Sequence, residues 1–327
     1  MSILSRIWRY LVAQKQQPRP PRYLPQVSSP HPRQPQKQSL TLVTWNVNAA
    51  RLCPRARIAA LLSHILALTP AADVIFLQEV SRLALSVIME DPRIRACWFS
   101  TDVDDTHWSS QPFATVTLLS RTRFHRHPDH VLDGSCMVLG RVWRIKYPSR
   151  YDRDALCCDV HVVPPLGNDG GSRKASACIR LVNVHLDSLA IRPSHRPAQL
   201  AAVASAVRDA GCGVVAGDFN PVLPEDQTLV ADNGLVDAWV QMRGQTHGYT
   251  WGADGGTRHG PRRLDKVAMT GLDVEAIDVL HPGVVSSRPM GWSHRGDNSE
   301  SQASPPVVPW SDHSGLRCTF SWPGTAA

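Results

Sequence analysis

The chain has 327 residues, of which 43% are hydrophobic and 19% are charged. This is enough apolar material for a sizeable core, in one large domain or two ordinary ones, and it excludes a wholly disordered chain, a collagen and a coiled coil. The formal net charge of +7 belongs to residues 1–38, which hold seven Lys and Arg and no acid. The 28 basic and 28 acidic residues of the remaining chain cancel, so the charge of the folded body does not indicate a nucleic-acid binder.

Residues 1–38 differ in composition from the rest of the chain. They contain seven of the 26 prolines and several glutamines, so they cannot bury enough surface to offset the entropy of ordering, and we predict a disordered basic tail. Within it, residues 1–11 have the arginines and apolar spacing of a short amphipathic helix, typical of a mitochondrial transit peptide or a membrane-surface anchor; a solvated tail is the alternative. No apolar stretch reaches about 18 residues, so no membrane span is predicted.

From residue 40 onward the pattern predicts many strands and a few helices. Apolar spacing predicts helices over 58–68 and 197–210, the second beginning with Pro197 and stopping at Gly211. The predicted strands cover 40–45, 73–77, 113–119, 157–163, 177–184, 213–217, 263–269 and 316–322. A hairpin is predicted around the loop at 164–172, and a long loop at 282–309. We therefore expect one α/β domain over 39–327 with stacked sheets.

Cysteine usage bears on the compartment and on metal binding. The eight cysteines include no C-x-x-C pair, which argues against a cysteine zinc site and indicates reduced, mostly buried thiols in an intracellular protein. Nucleus and mitochondrion are both open as compartments. A monomer is favoured, although the sequence does not fix the oligomeric state.

Polar residues of catalytic type follow several of the predicted strands. Each is a weak signal alone, since such residues are common in turns, but they recur in order along the chain. Strand ends are where polar groups can meet a ligand. Carboxylate and carboxamide oxygens suit Mg²⁺ or Mn²⁺ better than zinc, so the set predicts metal-assisted hydrolysis of a phosphate ester. Its members are Asn46, Glu79, His185, Asp187, Asp218, Asn220, Asp312 and His313.

Six segments in this order resemble motifs of the endonuclease/exonuclease/phosphatase superfamily, over about residues 40–322. They are Thr44–Asn48 (TWNVN), Asp73–Glu79 (DVIFLQE), Asn183–Ser188 (NVHLDS), Gly217–Asn220 (GDFN), Arg263–Val267 (RLDKV) and Ser311–Gly315 (SDHSG). Within the superfamily, the chain looks most like 5′-tyrosyl-DNA phosphodiesterases. The resemblance implies a four-layer α/β sandwich, with two mixed, mainly antiparallel sheets packed face to face and helices outside.

The resemblance also implies roles for individual residues. Glu79 would be the main ligand of Mg²⁺ or Mn²⁺, helped by Asn46, with Asp312 at or near the metal. The family's general base has been assigned to either Asp or His, and the sequence does not decide between them.

The remaining catalytic roles follow from the same motifs. Asp218 would orient or deprotonate the attacking water, and Asn220 would hold that water or a phosphate oxygen. His185 and His313 would donate hydrogen bonds to the phosphoryl oxygens. Asp265 would fix the ring of His313 and favour its cation.

Substrate contacts are expected from residues between these motifs. Trp251 is a candidate for stacking on a base or a phenol ring, and Arg262 and Arg263 are candidates for phosphate contacts. Two positions depart from the family pattern. Asn48 stands where relatives usually have Asp, and Pro221-Val222 stands where tyrosyl-DNA phosphodiesterases commonly place an Arg.

Three functions compete at this stage. The first is a Mg²⁺-dependent phosphodiesterase acting on nucleic-acid ends, in DNA repair. The second keeps the chemistry but acts on inositol phosphates or phospholipids, which the uncharged body favours. The third is an inactive binding module, against which the intact Glu79, Asp218, Asn220 and His313 argue.

Overall fold

The computed structural model describes residues 39–108, 111–127, 136–162, 177–253, 255, 259–287 and 307–322. The predicted basic tail at 1–38 and the predicted loop at 164–172 lie outside these ranges. Within them, no helix combines the length and the apolar character that crossing a bilayer requires.

The described ranges contain fifteen strands and six α-helices, which we number in chain order. They are β1 Ser39–Asn46, α1 Pro54–Leu66, β2 Val74–Ser81, α2 Arg82–Glu90, α3 Pro92–Cys97, β3 Trp98–Ser100, β4 Phe113–Ser120, β5 Phe124–His125, β6 Met137–Lys146, β7 Asp154–Val162, β8 Ala177–His185, α4 Arg196–Asp209, β9 Cys212–Asp218, α5 Leu229–Asp232, β10 Val236–Asp237, α6 Ala238–Arg243, β11 Asp265–Thr270, β12 Asp273–Leu280, β13 Val284–Ser286, β14 Val307–Pro309 and β15 Gly315–Ser321.

Most of the strands form two mixed sheets. The first sheet has the order β12-β15-β1-β2-β4-β3, and the second has the order β10-β11-β9-β8-β7-β6-β5. The pairs β1/β2, β8/β9 and β5/β6 are parallel and the others in these two sheets are antiparallel. A separate ribbon joins β13 to β14.

The two sheets pack face to face, and helices cover their outer faces. Side chains of β1 alternate as the pleat requires: Leu40 and Leu42 lie in the core between the sheets, while Val43 and Trp45 pack beneath α1 and α2. On the other side, α4 and α5 cover the outer face of β8 and β9. The predicted four-layer α/β sandwich is therefore confirmed.

Several local predictions are also confirmed, and others need correction. Strands β7 and β8 pair antiparallel as the hairpin prediction requires. The helix predicted over 58–68 begins earlier, at Pro54, and ends at Leu66. The predicted long loop at 282–309 has strands at its ends, because β13 and β14 pair across it.

The topology brings strand ends of both sheets to one edge. Asn46 ends β1, and in the other sheet His185 ends β8 directly beside Asp218, which ends β9. Asp265, the first residue of β11, pairs with Asp218 from the opposite side. Residues far apart in sequence thus meet at the mouth of the sandwich.

Candidate active site

The amide of Asn46 joins carboxylates carried by the two sheets. Its Nδ2 donates to Glu79 Oε1 at 3.3 Å and to Asp218 Oδ2 at 3.1 Å. Asn46 is buried, and its own Oδ1 accepts a hydrogen bond from the backbone N–H of Asn48 at 3.0 Å. The two hydrogen bonds from Asn46 Nδ2 fix the distance between the carboxylates of Glu79 and Asp218.

Glu79 reaches the site through an irregularity in β2. The register of β2 against β4 shifts between Leu77 and Val80, and Glu79 has a φ of 55°. A non-glycine residue adopts this left-handed conformation only when its surroundings fix it, and such strain is concentrated at functional sites. Here Glu79 Oε2 accepts the backbone N–H of Ala49 at 3.0 Å, so its carboxylate is aimed at the mouth of the sandwich.

His313 forms a buried ion pair with Asp265. Its Nδ1 lies 2.8 Å from Asp265 Oδ2, and both residues are buried. Burial by itself would lower the pKa of His313, but the charges of Asp265 and Asp218 and the hydrogen bond to Asp265 raise it to about 10. The ring is therefore an imidazolium at neutral pH, with Nε2 3.9 Å from Asp218 Oδ2.

His185 has the opposite electrostatic character. Its Nε2 lies 3.4 Å from Asp218 Oδ2 and 4.0 Å from Glu79 Oε1. Burial, together with the cations of Arg153 and His313, lowers the pKa of His185 well below its usual value. His185 is thus neutral, and its buried Nε2 has no hydrogen-bond partner in the described part of the chain.

Asp218 lies between the two histidines. Burial and the neighbouring Asp265 raise the pKa of Asp218 to about 6, although the charge of His313 opposes this shift. Its Oδ1 accepts the backbone N–H of Asn220 at 3.0 Å. Asn220 has a φ of 47°, and its Nδ2 donates to the carbonyl oxygen of Leu186 at 3.1 Å. Asp218 can therefore accept a proton near neutral pH while its orientation is fixed.

Asp312 lies in the loop after β14. Its Oδ1 accepts a hydrogen bond of 2.7 Å from Asn48 Nδ2. The neutral amide at position 48 therefore holds Asp312 directly. The loop that carries Asn48 is in turn fixed by Arg57.

Sequence reasoning missed two buried arginines beside the site. Arg57 donates to the backbone carbonyl oxygens of Val47, Asn48 and Trp310, and so ties the loops after β1 and β14 together. Arg153 is 8% exposed, donates to the carbonyl oxygen of Leu186 and lies 4.8 Å from the ring centroid of Tyr151. Arg57 lies in α1 and Arg153 just before β7, each within three residues of another arginine, so the sequence carries no signal that these two are the buried ones.

The acidic groups fit a hard divalent cation. Among the residues that the structure describes, no Lys or Arg forms an ion pair with Glu79 or Asp312. These carboxylates, with the amide of Asn46, offer oxygen donors of the kind Mg²⁺ and Mn²⁺ prefer.

A second group of ligand-type atoms is less suited to a metal. Asp218, Asp265 and His313 each place one ligand atom within 4.8 Å of the others. A protonated His313 that is bonded to Asp265 has no lone pair to give, so this trio fits proton and charge stabilisation better than metal binding.

The two predicted substrate contacts occupy different environments. The backbone of Trp251 bridges to His313 on one side and to Arg262 on the other, which places Trp251 at the edge of the site. The guanidinium of Arg263 instead forms a bidentate ion pair with Asp237, at 2.8 and 2.9 Å. The structure therefore gives Arg263 a partner within the fold, and its contact with substrate stays a prediction.

Comparisons with known proteins bear on this geometry. The model of the Endonuclease/Exonuclease/phosphatase family matches residues 43–313. No curated protein matches the sequence.

Solved structures resemble the whole fold. A humanized D. rerio TDP2 with 14 mutations is 20% identical with a TM-score of 0.57, covering 87% of this chain and 99% of that one. D. rerio TDP2 complexed with single strand DNA product is 20% identical with a TM-score of 0.58, covering 86% and 99%. A Bacteroides vulgatus endonuclease/exonuclease/phosphatase is 12% identical with a TM-score of 0.55, covering 88% and 100%. At these identities the likeness shows a shared fold.

Proposed function

The chain belongs to the endonuclease/exonuclease/phosphatase family, and on that premise we propose that it is a Mg²⁺-dependent phosphodiesterase acting at the ends of nucleic-acid strands. As a member of this family it is a metal-dependent phosphoric ester hydrolase. One observation carries the proposal: the carboxylates of Glu79 and Asp218 share the amide of Asn46, and the protonated His313, next to Asp312 in the chain, lies 3.9 Å from Asp218. This combination suits a phosphoryl group that gains negative charge.

Glu79, Asn46 and Asp312 would hold the metal. When bound, the ion supplies positive charge to the phosphoryl oxygens and to the leaving group. The protein's own contribution is to keep these three side chains in place, through the Asn46–Glu79 and Asn48–Asp312 hydrogen bonds.

Asp218 and Asn220 would position the attacking water. Asp218 is mostly ionised at neutral pH with its pKa of about 6, so it can take the water's proton at Oδ2. The backbone N–H of Asn220 holds Oδ1 of the same carboxylate and prevents it from rotating.

The two histidines would stabilise the transition state differently. His313, held as a cation by Asp265, donates from Nε2 to a phosphoryl oxygen as negative charge develops. His185 is neutral and supplies a hydrogen bond without adding positive charge beside His313 and Arg153. This division avoids placing three buried cations together.

Two features support a DNA end as the substrate. Trp251 lies at the edge of the site, beside His313, where an aromatic ring can stack on a base. One protein of similar fold, D. rerio TDP2, was solved with single strand DNA product. A 5′-phosphotyrosyl oligonucleotide is therefore the first substrate to assay.

The assay compares the parent protein with site variants, in Mg²⁺ and in EDTA. We expect turnover only with the metal, and a loss of about 10²–10⁴-fold in Glu79→Ala, Asp218→Asn and His313→Ala, since each removes a group that acts in the transition state. Circular dichroism checks that the variants are folded. Absence of turnover by folded parent protein in Mg²⁺ would remove the DNA-end substrate, and full activity in all three variants would show that the site is misplaced.

A second substrate class has its own supporting observation. Leu52 and Leu189, in the loops after β1 and β8, are 72% and 62% exposed on the same edge as the site. Exposed apolar side chains beside a phosphoesterase site suit a lipid surface. Inositol phosphates and phospholipid vesicles in the same assay decide between the two, because turnover of those substrates without turnover of DNA would favour the lipid function.

We also propose that residues 1–38 are a separate basic tail that directs the protein to its compartment, nucleus or mitochondrion. The charge distribution supports this, since the tail holds all of the net charge. A fusion of 1–38 to a fluorescent reporter that spreads evenly through the cell would contradict it.

A further inference from the structure

A basic cleft lies next to the catalytic centre, on the side of the second sheet. It has a volume of about 840 Å³ and is bounded by the segment that follows Asn220 and by the segment that leads into β11. Val222, Tyr249, Arg262 and Lys266 are among its lining residues. None of these residues has a role in the chemistry described above.

The walls of the cleft carry more positive than negative charge. Arg263 and Lys266 share a single carboxylate, that of Asp237, at distances of 2.8 to 3.2 Å. With Arg262, three basic side chains are thus balanced by one acid. The excess favours an anionic ligand.

Arg262 is the basic residue that is available to such a ligand. Among the described contacts, its guanidinium has one hydrogen bond, from Nη1 to the carbonyl oxygen of Val222 at 3.4 Å, and it has no carboxylate partner. A guanidinium has five N–H donors, so most of them remain for a ligand. Arg262 is half-buried, which makes an ion pair there stronger than one in open solvent.

The backbone connects the wall of the cleft to the catalytic centre. Trp251 forms antiparallel bridges with both Arg262 and His313. Arg262 and His313 therefore lie on either side of the same residue.

An aromatic pair contributes to the wall of the cleft. Tyr249, which lines the cleft, stacks on His247 with a ring-centroid distance of 4.7 Å and an interplanar angle of 13°. His247 is exposed. An aromatic pair with one exposed member, in a cleft whose guanidinium has donors to spare, matches the way proteins bind single strands, with bases stacked and phosphates paired.

We propose that this cleft binds the nucleotide next to the scissile phosphodiester, with Arg262 paired to its backbone phosphate and its base against Tyr249. The proposal rests on the proposed function, since it assumes a nucleic-acid strand at the catalytic centre. It assigns to Arg262 the phosphate contact that the neighbouring Arg263, held by Asp237, is not free to make.

The test measures binding rather than turnover. A short fluorescein-labelled single strand is titrated with the full chain in EDTA, and fluorescence anisotropy gives the Kd at several salt concentrations. We expect Arg262→Gln to weaken binding about 5- to 10-fold and to reduce the salt slope by about one, as loss of one phosphate contact should. Tyr249→Leu should weaken binding about tenfold through lost stacking.

Arg208→Gln is the matched control. Arg208 also donates to one backbone carbonyl oxygen, that of Asn233, but it is exposed on the outer helix α4. Its replacement should leave both the Kd and the salt slope unchanged. Melting temperatures show whether the variants are folded.

The outcomes separate this proposal from the proposed function. Equal Kd and salt slope for Arg262→Gln and the parent protein, or absence of strand binding by the parent protein at low salt, overturns the cleft assignment. Displacement of the strand by inositol phosphates, with equal dependence on Arg262 and none on Tyr249, also overturns it. Strand binding that depends on Arg262, in a protein that hydrolyses no DNA end, supports the cleft and rejects the proposed function.

Discussion

The charge on His313 depends most on the carboxylate of Asp265, and this dependence can be measured. Asp265 is fully buried and lies 2.8 Å from the ring of His313. The cation that it stabilises is present below the pKa of about 10 and is lost as the pH rises through that value. Activity that needs the cation should therefore fall on the alkaline side.

Asp265→Asn should move this alkaline loss to lower pH. The amide keeps the size of the side chain but removes the charge that most raises the pKa of His313, so this pKa falls and the neutral ring becomes more populated at pH 8. We expect kcat at pH 8 to drop by about 10²–10⁴-fold, with the alkaline limb of the pH–rate profile displaced downward. Asp278→Asn, which removes a carboxylate from the surface, is the control. An unshifted alkaline limb in Asp265→Asn would show that His313 does not act as a cation.

A second prediction at the residue scale concerns Asn48 and its effect on the stability of the metal site. Asn48 Nδ2 lies 2.7 Å from Asp312 Oδ1, so Asn48→Asp would face two carboxylates at hydrogen-bond distance. Asp tolerates the positive φ of this position as Asn does. Without metal the repulsion should lower stability by about 1–2 kcal/mol, and Mg²⁺ should then raise the melting temperature more than in the parent protein.

Thermal melts with and without Mg²⁺ check this expectation. Asn233→Asp adds the same charge on the far side of the second sheet, near the end of α5, and should show the parent response to Mg²⁺. If Asn48→Asp were as stable as the parent protein without metal and indifferent to Mg²⁺, Asp312 would not belong to the metal site.

The sequence predicted the position of site residues that directly follow an apolar strand. It did not predict the role of a side chain when that role depends on an ion-pair partner elsewhere in the chain. Asn46 and Asp218 follow buried apolar strands, so their place at a sheet edge was predictable. Arg262 and Arg263 are adjacent and of the same type. What distinguishes them is Asp237, which comes near Arg263 only because β10 pairs with β11.

At the scale of elements, a buried ion pair joins the parts that frame the site. Arg196 at the start of α4 and Asp226 in the short 3₁₀ turn after β9 are each 1% exposed and lie 2.8 Å apart. Arg196 also donates to the carbonyl oxygens of Asp187 and Leu189, in the loop after β8. One guanidinium therefore holds together a helix, a turn and a site loop.

Asp226→Ala should destabilise the protein by about 3–5 kcal/mol, because it leaves the buried guanidinium of Arg196 without a counter-charge. Replacing both partners by apolar residues, as in Arg196→Met with Asp226→Leu, should recover a large part of this loss, since no charge then remains buried. Urea denaturation measures the three free energies of unfolding. A cost below about 1 kcal/mol for Asp226→Ala would mean that water enters and solvates Arg196.

Strands β9 and β12 show how a regular pattern helps prediction and an irregular one hinders it. Strand β9, a run of apolar residues before Asp218, was predicted. Strand β12 was not, because its pairing shifts between Val274 and Ala276, and the extra residue breaks the alternation that identifies a strand. The sequence around Glu79 likewise does not predict the bulge that turns this residue toward the site.

At the scale of the whole molecule, the family motifs predicted the layered fold, while the sequence pattern alone indicated only stacked sheets. Parallel pairs at the centre of each sheet, β1/β2 and β8/β9, direct strand ends to the same edge. Packing the sheets face to face then gathers those ends into one site. Side-chain ion pairs between distant loops then fix the exact positions of the site residues. These pairs form only in the folded geometry, so the sequence pattern does not predict them.

The same packing places thiols in the core. Cys157, Cys158 and Cys318 are at most 1% exposed. Burial raises the pKa of Cys157 and of Cys318 from about 9 to about 12, and that of Cys158 well above its usual value. The folded protein therefore keeps thiol protons that the unfolded chain releases.

This difference predicts instability at alkaline pH. The contribution of each thiol is fully present below pH 9, and it is lost as the pH rises from about 9 toward 12, because only the unfolded chain ionises in that window. The expected slope is about 1.4 kcal/mol per pH unit for each buried thiol. Urea denaturation in a reducing buffer, at several pH values from 8 upward, should show the free energy of unfolding falling steeply above pH 9. Cys318→Ala should reduce that slope by one thiol's share, whereas Cys97→Ala, at an exposed thiol, should leave the slope unchanged. If both variants keep the parent slope, ionisation of the core thiols does not control alkaline unfolding, and the charge of other groups must be responsible.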